Sequence, residues 1–204
     1  MTLERDRSAD SARRLRAVAI GISTGGPKTL LEVLPQLPAN LPASVFLVQH
    51  MPATFTASLA HRLAMSCALK VVEATDDMIV EPGVCYVARG GHHLCLHRDA
   101  GKIAIDTPTT PPRLYIPSVN VMMASVLSIY GENTVGVLMT GIGDDGAQQM
   151  VAIRRAGGHT IAESEETAIV YGMPREAARR DGACIVLPAY QVAGEIIKSL
   201  REMG

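Results

Sequence analysis

The decisive stretch is Arg16-Ala17-Val18-Ala19-Ile20-Gly21-Ile22-Ser23-Thr24-Gly25-Gly26-Pro27, continuing to Leu37. Its first half is a short apolar run ending in glycines, the pattern of a buried strand. Its second half, from Pro27, places apolar residues at Leu30, Leu31, Val33, Leu34 and Leu37, which is helical spacing. Between them lies Gly21-Ile22-Ser23-Thr24-Gly25, a G-x-S-x-G in strand–turn–helix context. Small neighbours allow a sharp turn that lifts the Ser23 hydroxyl above the sheet. The helix N-terminus behind it aims free N–H groups and a positive dipole end at the same place. The loop therefore reads either as a nucleophile elbow or as a plain chain-turning, phosphate-binding loop. Neither G-x-G-x-x-G nor G-K-[ST] occurs here, so both nucleotide fingerprints fail.

The alternation of strand and helix carries outward from this unit. Residues 43–49, 69–73, 134–139, 159–162 and 183–187 read as strands. Residues 54–65 (with Thr54 as a candidate N-cap), 117–130, 146–156, 174–180 and 188–203 read as helices. Residues 83–107 break the rhythm with three β-like runs, Val84–Ala88, His92–His97 and Lys102–Asp106, which read as a hairpin or meander. The expected fold is α/β: three layers, helix–sheet–helix, on a mainly parallel sheet with an antiparallel hairpin. Residues 1–15, polar and rich in charge, read as a disordered leader, and residues 16–204 as one domain.

Composition narrows the function classes. Nineteen basic and twenty acidic residues leave a net charge of −1, so no strong field favours nucleic acid or an acidic membrane. Aromatics make up 3% and Trp is absent, which disfavours stacking platforms for bases. Four cysteines without C-x-x-C spacing read as free thiols of a reducing compartment. No apolar run approaches the ~18 residues of a membrane span, and residues 1–16 lack the apolar segment of a signal peptide, so the expectation is a cytoplasmic protein.

Two further strand ends carry chemistry. His50, in Gln49-His50-Met51-Pro52, stands where a general base would meet Ser23. By itself it is as readily a structural histidine. Thr140-Gly141-Ile142-Gly143-Asp144-Asp145-Gly146 repeats the strand–Gly-loop–helix pattern, and an Asp there either orients a histidine or caps a helix. Physics does not choose between Asp144 and Asp145. In parallel sheets such loops lie together beyond the strands' carboxyl ends, so Ser, His and Asp can converge on one rim. Their chain order differs from the Ser–Asp–His order of α/β-hydrolases.

Other groups invite weighing. His93, Cys95 and His97 alternate on one expected strand and suggest a metal, but three such ligands lack a fourth, so the expectation is no metal and no organic cofactor. Glu163, Glu165 and Glu166 read as a solvated acidic run. Met122, Met123 and Met150 read as core. Arg175, in Gly172-Met173-Pro174-Arg175, is a candidate substrate contact or simply part of a helix start.

Four segments together resemble the CheB family, the catalytic domains of chemotaxis protein-glutamate methylesterases. They are Ala19–Gly26, Val48–Pro52, Leu138–Gly146 and Tyr171–Ala177, and the similarity runs through roughly residues 16–200. The resemblance implies hydrolysis of glutamate γ-methyl esters on methyl-accepting chemoreceptors, with release of methanol, and deamidation of certain receptor glutamines. It implies a triad of Ser23, His50 and Asp145, the last being the Asp just before the glycine. It places Thr24 after the nucleophile and Ile142 in the pocket wall, where the family usually has Met. The implied partners are the chemoreceptor cytoplasmic domain and, because residues 1–15 leave no room for the usual receiver domain, a separate receiver protein. The stretch Pro112–Asn120 departs from the family pattern: a His-Arg pair is missing and Asn120 replaces Asp. The competing reading, motivated by those departures, is a catalytically silent signalling adaptor of the same fold. A phosphate-binding domain is argued against by Lys28 being the one basic residue at the 21–26 loop.

Overall fold

The computed structural model describes residues 15–203, so the expected leader lies outside the described residues except for Leu15. Seven strands form one parallel sheet: β1 (Ala17–Ile22), β2 (Ser44–Gln49), β3 (Lys70–Glu73), β4 (Val84–Val87), then β7 (Thr134–Leu138), β8 (His159–Glu163) and β9 (Ile185–Leu187). Their spatial order is β3-β4-β2-β1-β7-β8-β9. A separate antiparallel pair, β5 (Cys95–Asp99) and β6 (Lys102–Asp106), stands apart from the sheet. The helices are α1 (Gly26–Val33), α2 (Thr56–Ser66), α3 (Val119–Tyr130), α4 (Ala147–Arg155), α5 (Met173–Arg179) and α6 (Ala189–Glu202).

The sheet is buried on both faces, and strand alternation assigns each side chain to a core. From β1, Val18, Ile20 and Ile22 join one core with Leu30 and Val33 of α1, Leu59 and Leu63 of α2, and Val192 and Ile196 of α6. Ala17 and Ala19 join the other with Met122, Met123 and Val126 of α3, Met150 and Ile153 of α4, and Leu96, Ile103 and Ile105 of the β5–β6 pair. β1, β2 and β7 are buried along their whole length, so their residues read as continuous apolar runs rather than alternating ones. No helix among the described residues is long and apolar enough to cross a membrane.

The three-layer α/β expectation holds, with two local differences. The run from Val84 leaves the expected meander and enters the main sheet as β4, between β2 and β3. All four of its residues are buried, which two apolar faces reward and an exposed hairpin does not. Helix α2 begins at Thr56, after a single 3-10 turn at Ala53–Phe55, rather than being capped by Thr54. The Thr56 hydroxyl instead donates to Glu73 Oε1 (2.6 Å) and accepts from Gly90 N–H (3.1 Å).

The strand order reverses at β1, whose neighbours β2 and β7 lead to opposite edges. In doubly wound sheets the crevice beyond such a reversal is the binding position. Here it collects the loops after β1, β2 and β7.

Candidate active site

Register brings Ser23 and His50 side by side. Ile22 pairs with Gln49, and the His50 N–H donates to the Ile22 carbonyl (3.0 Å), so the next residues of each chain leave the sheet together. On the other flank the Ser23 N–H donates to the Thr140 carbonyl (2.8 Å), at the end of β7. The buried Gln49 side chain ties the same turn, its Nε2 donating to the Ser23 and His50 carbonyls, each at 2.8 Å. A Cβ at Gly26 would collide with Gln49 Oε1, so any larger residue there displaces that side chain.

Thr140 is a second clamp. Its hydroxyl donates to the Thr24 carbonyl (2.8 Å) and accepts from the Val170 N–H (2.9 Å), while its own N–H donates to Glu163 Oε2 (2.8 Å). Glu163 is fully buried, and its other oxygen accepts from the Thr167 hydroxyl (2.9 Å). It is therefore not part of a solvated acidic run: β8 extends one residue further than expected and carries it under the site. Burial raises its pKa, against the hydrogen bonds from Thr140 and Thr167.

Asp145 accepts four hydrogen bonds. Oδ2 takes His50 Nε2–H (2.9 Å) and the Val119 N–H (2.7 Å). Oδ1 takes the Ser118 hydroxyl (2.9 Å) and the Asn120 N–H (3.0 Å). The carboxylate thus sits on the N-terminus of α3, where backbone donors and dipole favour a negative charge. Burial alone would raise its pKa; the bonds from His50, Asn120, Val119 and Ser118 outweigh it and hold the carboxyl below its usual range. Asp144 turns outward and pairs with Arg180 (2.6 Å). Gly146, at φ +97°, follows the pair and leads into α4.

With Oδ2 an acceptor, His50 Nε2 carries a proton, and Nδ1 is left buried and without a hydrogen-bond partner. Ser23, Thr24, His50, Met51, Leu114, Tyr115, Ile116, Pro117 and Ile142 line a cleft of about 410 Å³. The loop bearing Leu114 and Tyr115 separates it from a neighbouring cleft of about 470 Å³, lined by Arg113, Asn120, Asp144 and Gln148 among others. Of the residues singled out in the sequence, five meet at the first cleft or its wall: Ser23, Thr24, His50, Ile142 and, through His50, Asp145. Arg175 lines neither cleft; its guanidinium is half exposed, 3.9 Å from Glu176. His93 gives both ring nitrogens to the backbone, accepting from the Ser118 N–H (3.1 Å) and pairing with the Pro111 carbonyl (2.9 Å), and it precedes β5 rather than sharing that strand with Cys95 and His97. No cluster of metal-ligating side chains occurs among the described residues. Sequence reasoning missed Gln49, Thr140, Ser118 and Tyr115. Gln49 and Thr140 carried a signal as polar residues at the ends of apolar strands, and Ser118 as a serine at a helix start; Tyr115 carried none.

The chain is thus a parallel α/β domain of the doubly wound class, with a serine, a histidine and a carboxylate gathered at its switch point. The chain is a member of the CheB methylesterase family, whose model matches residues 18–196. A relative in Caldanaerobacter subterraneus subsp. tengcongensis, named protein-glutamate methylesterase/protein-glutamine glutaminase, is 54% identical over 189 residues, 91% of this chain and 52% of the relative. One of the same name in Archaeoglobus fulgidus is 45% identical over 184 residues, 90% of this chain and 53% of that one. The chain spans about half the length of these curated relatives. Among solved structures, the Thermotoga maritima CheB methylesterase catalytic domain matches with a TM-score of 0.88 at 39% identity, covering 90% of this chain and 98% of that one.

Proposed function

We propose that residues 16–204 form one methylesterase catalytic domain that hydrolyses glutamate γ-methyl esters of methyl-accepting chemoreceptors, and deamidates receptor glutamines, in the cytoplasm. The observation that carries this reading is the His50–Asp145 bond (2.9 Å) at a cleft that Ser23 also lines. It is supported by membership of the CheB family and by the names of the relatives.

In the mechanism, Ser23 Oγ attacks the ester carbonyl carbon as its proton passes to His50 Nδ1. The carbonyl π pair moves to oxygen. Thr24 and Gly25 offer N–H groups that bond to no protein acceptor among the described residues, at the N-terminus of α1. They are the donors for that oxyanion, each worth about 2.7–4 kcal/mol if lost. Collapse expels methoxide, which takes the proton from His50 and leaves as methanol. Water then hydrolyses the acyl-enzyme by the same proton relay in reverse. Asp145 holds Nε2 and stabilises the imidazolium; it is not itself protonated. Ile142, 57% exposed on the cleft wall, contacts the substrate's apolar stem.

The test is methanol release from a methylated chemoreceptor fragment by wild type and by Ser23→Ala. Release by wild type alone is expected. Equal release by both refutes the mechanism. Silence from both, with Ser23 unlabelled by a fluorophosphonate, refutes the esterase and favours the silent adaptor.

A further inference from the structure

The ring of Tyr115 lies flat against that of His50, centroids 4.3 Å apart and planes 14° from parallel. Tyr115 comes from a loop, yet that loop is fastened on both sides. The His93 N–H donates to the Pro108 carbonyl (2.7 Å), the His93 ring pairs with the Pro111 carbonyl (2.9 Å), and the Gly91 N–H donates to the Ile116 carbonyl (3.1 Å). The Tyr115 hydroxyl makes no hydrogen bond among the described residues, so the face of the ring, not its oxygen, engages the histidine.

Two consequences follow for a histidine whose Nε2 is tied to Asp145 and whose Nδ1 stands free. A flat aromatic wall resists rotation of the imidazole about its Cβ–Cγ bond, keeping the ring in the orientation set by the Nε2–Asp145 bond. An aromatic face also attracts a cation lying on it, through the ring's quadrupole, and more strongly where water is excluded. The His50 side chain is 5% exposed. The attraction is weak while imidazole is neutral and appears as it becomes imidazolium, so it acts in the transition state rather than before it.

We propose that Tyr115 is a positioning residue for His50, holding the ring by stacking and stabilising the imidazolium formed as Ser23 loses its proton. This rests on the Ser23–His50 chemistry proposed above. The step is unchanged in its balance: the Ser23 Oγ–H bond breaks, its electron pair forms the bond to the electrophile, and the proton resides on Nδ1 until the leaving group takes it.

The experiment uses the full chain as wild type, Tyr115→Phe and Tyr115→Leu, with two readouts that need no receptor. One is the rate at which a fluorophosphonate labels Ser23, the phosphorus accepting Oγ as fluoride departs. The other is the NMR position of the His50 ring protons, which a stacked aromatic ring displaces upfield. Tyr115→Phe is expected to keep the displacement and label within about twofold of wild type. Tyr115→Leu is expected to lose the displacement and label about tenfold more slowly. A Leu variant that labels at the wild-type rate or faster overturns the role of Tyr115 alone. A Phe variant that falls as far as the Leu variant also overturns it, moving the effect to the hydroxyl. Wild type that does not label at Ser23 overturns the serine–histidine reading itself, and this proposal with it.

Discussion

Asp145→Asn removes one charge and no volume, and its cost can be worked from the four bonds the carboxylate accepts. Oδ2 faces two donors, Val119 N–H and His50 Nε2–H; Oδ1 faces Ser118 Oγ–H and Asn120 N–H. An asparagine has one acceptor oxygen and one NH₂ group, so whichever way it turns, a backbone N–H at the start of α3 confronts another donor. A buried donor left unpaired costs about 1–3 kcal/mol. Loss of a helix cap costs about 1 kcal/mol, and part of this is the same bond. The expected loss is about 2–4 kcal/mol at pH 7. For a chain near 200 residues that is a fall in Tm of roughly 5–15 °C, read by thermal or urea denaturation. The pH dependence has a definite sign. Asp145 is held below its ordinary range, so its stabilisation is present above the unfolded-state value of about 3.9 and is lost as pH falls through the folded-state value. The gap between wild type and variant should therefore close on acidification. Fluorophosphonate labelling of Ser23 should fall by about 10³–10⁴, the effect of a histidine left in the wrong tautomer. The neighbouring Asp144→Asn breaks only an exposed pair with Arg180 and should cost under about 1 kcal/mol, with labelling unchanged. Equal melting of Asp145→Asn and wild type at pH 7 would refute the capping argument. A larger rate loss in Asp144→Asn would refute the assignment of roles.

Glu163→Gln should gain on wild type as pH rises from about 4 toward 8, because a raised carboxyl pKa stabilises the fold below the unfolded value of about 4.3 and loses that contribution above the folded one. Urea denaturation at both ends of that range checks it, and a constant difference would count against a raised pKa. Gly26→Ala forces the Gln49 side chain away from the Ser23 and His50 carbonyls, so labelling of Ser23 should fall at least tenfold, with a lowered Tm. Tyr86→Phe strands the Glu81 N–H that bonds the phenol oxygen (2.8 Å) and should cost about 1–3 kcal/mol in denaturation while leaving labelling untouched.

The fold was legible because local rules agree with the global arrangement. Each apolar run is followed by helical spacing, and a parallel sheet is the one arrangement that buries such runs on both faces. The convergence of the candidate residues was legible for the same reason: turns after β1, β2 and β7 must share a rim. The choice between Asp144 and Asp145 was not legible from physics, since it rests on long-range partners: His50 and the start of α3 for Asp145, Arg180 for Asp144. Glu163 was read as solvated because Glu165 and Glu166 follow it, and one residue of strand makes the difference. His93 drew attention for a metal and proves to be a brace for the Pro108–Ser118 loop. Tyr115 could not be found at all. Its stacking depends on that brace, a contact across some twenty residues of chain without periodicity.

The placement of Asp145 on the end of α3 bears on how the family would age. A lineage that abandoned the proposed esterase chemistry would be free to lose Ser23, whose hydroxyl bonds nothing among the described residues. It could not lose Asp145 without loosening a helix that packs on β1 and β7. Decay would therefore begin at Ser23 and leave the carboxylate standing. Among diverged copies, the aspartate would mark a sound scaffold, and on the proposed mechanism the serine would mark a working enzyme.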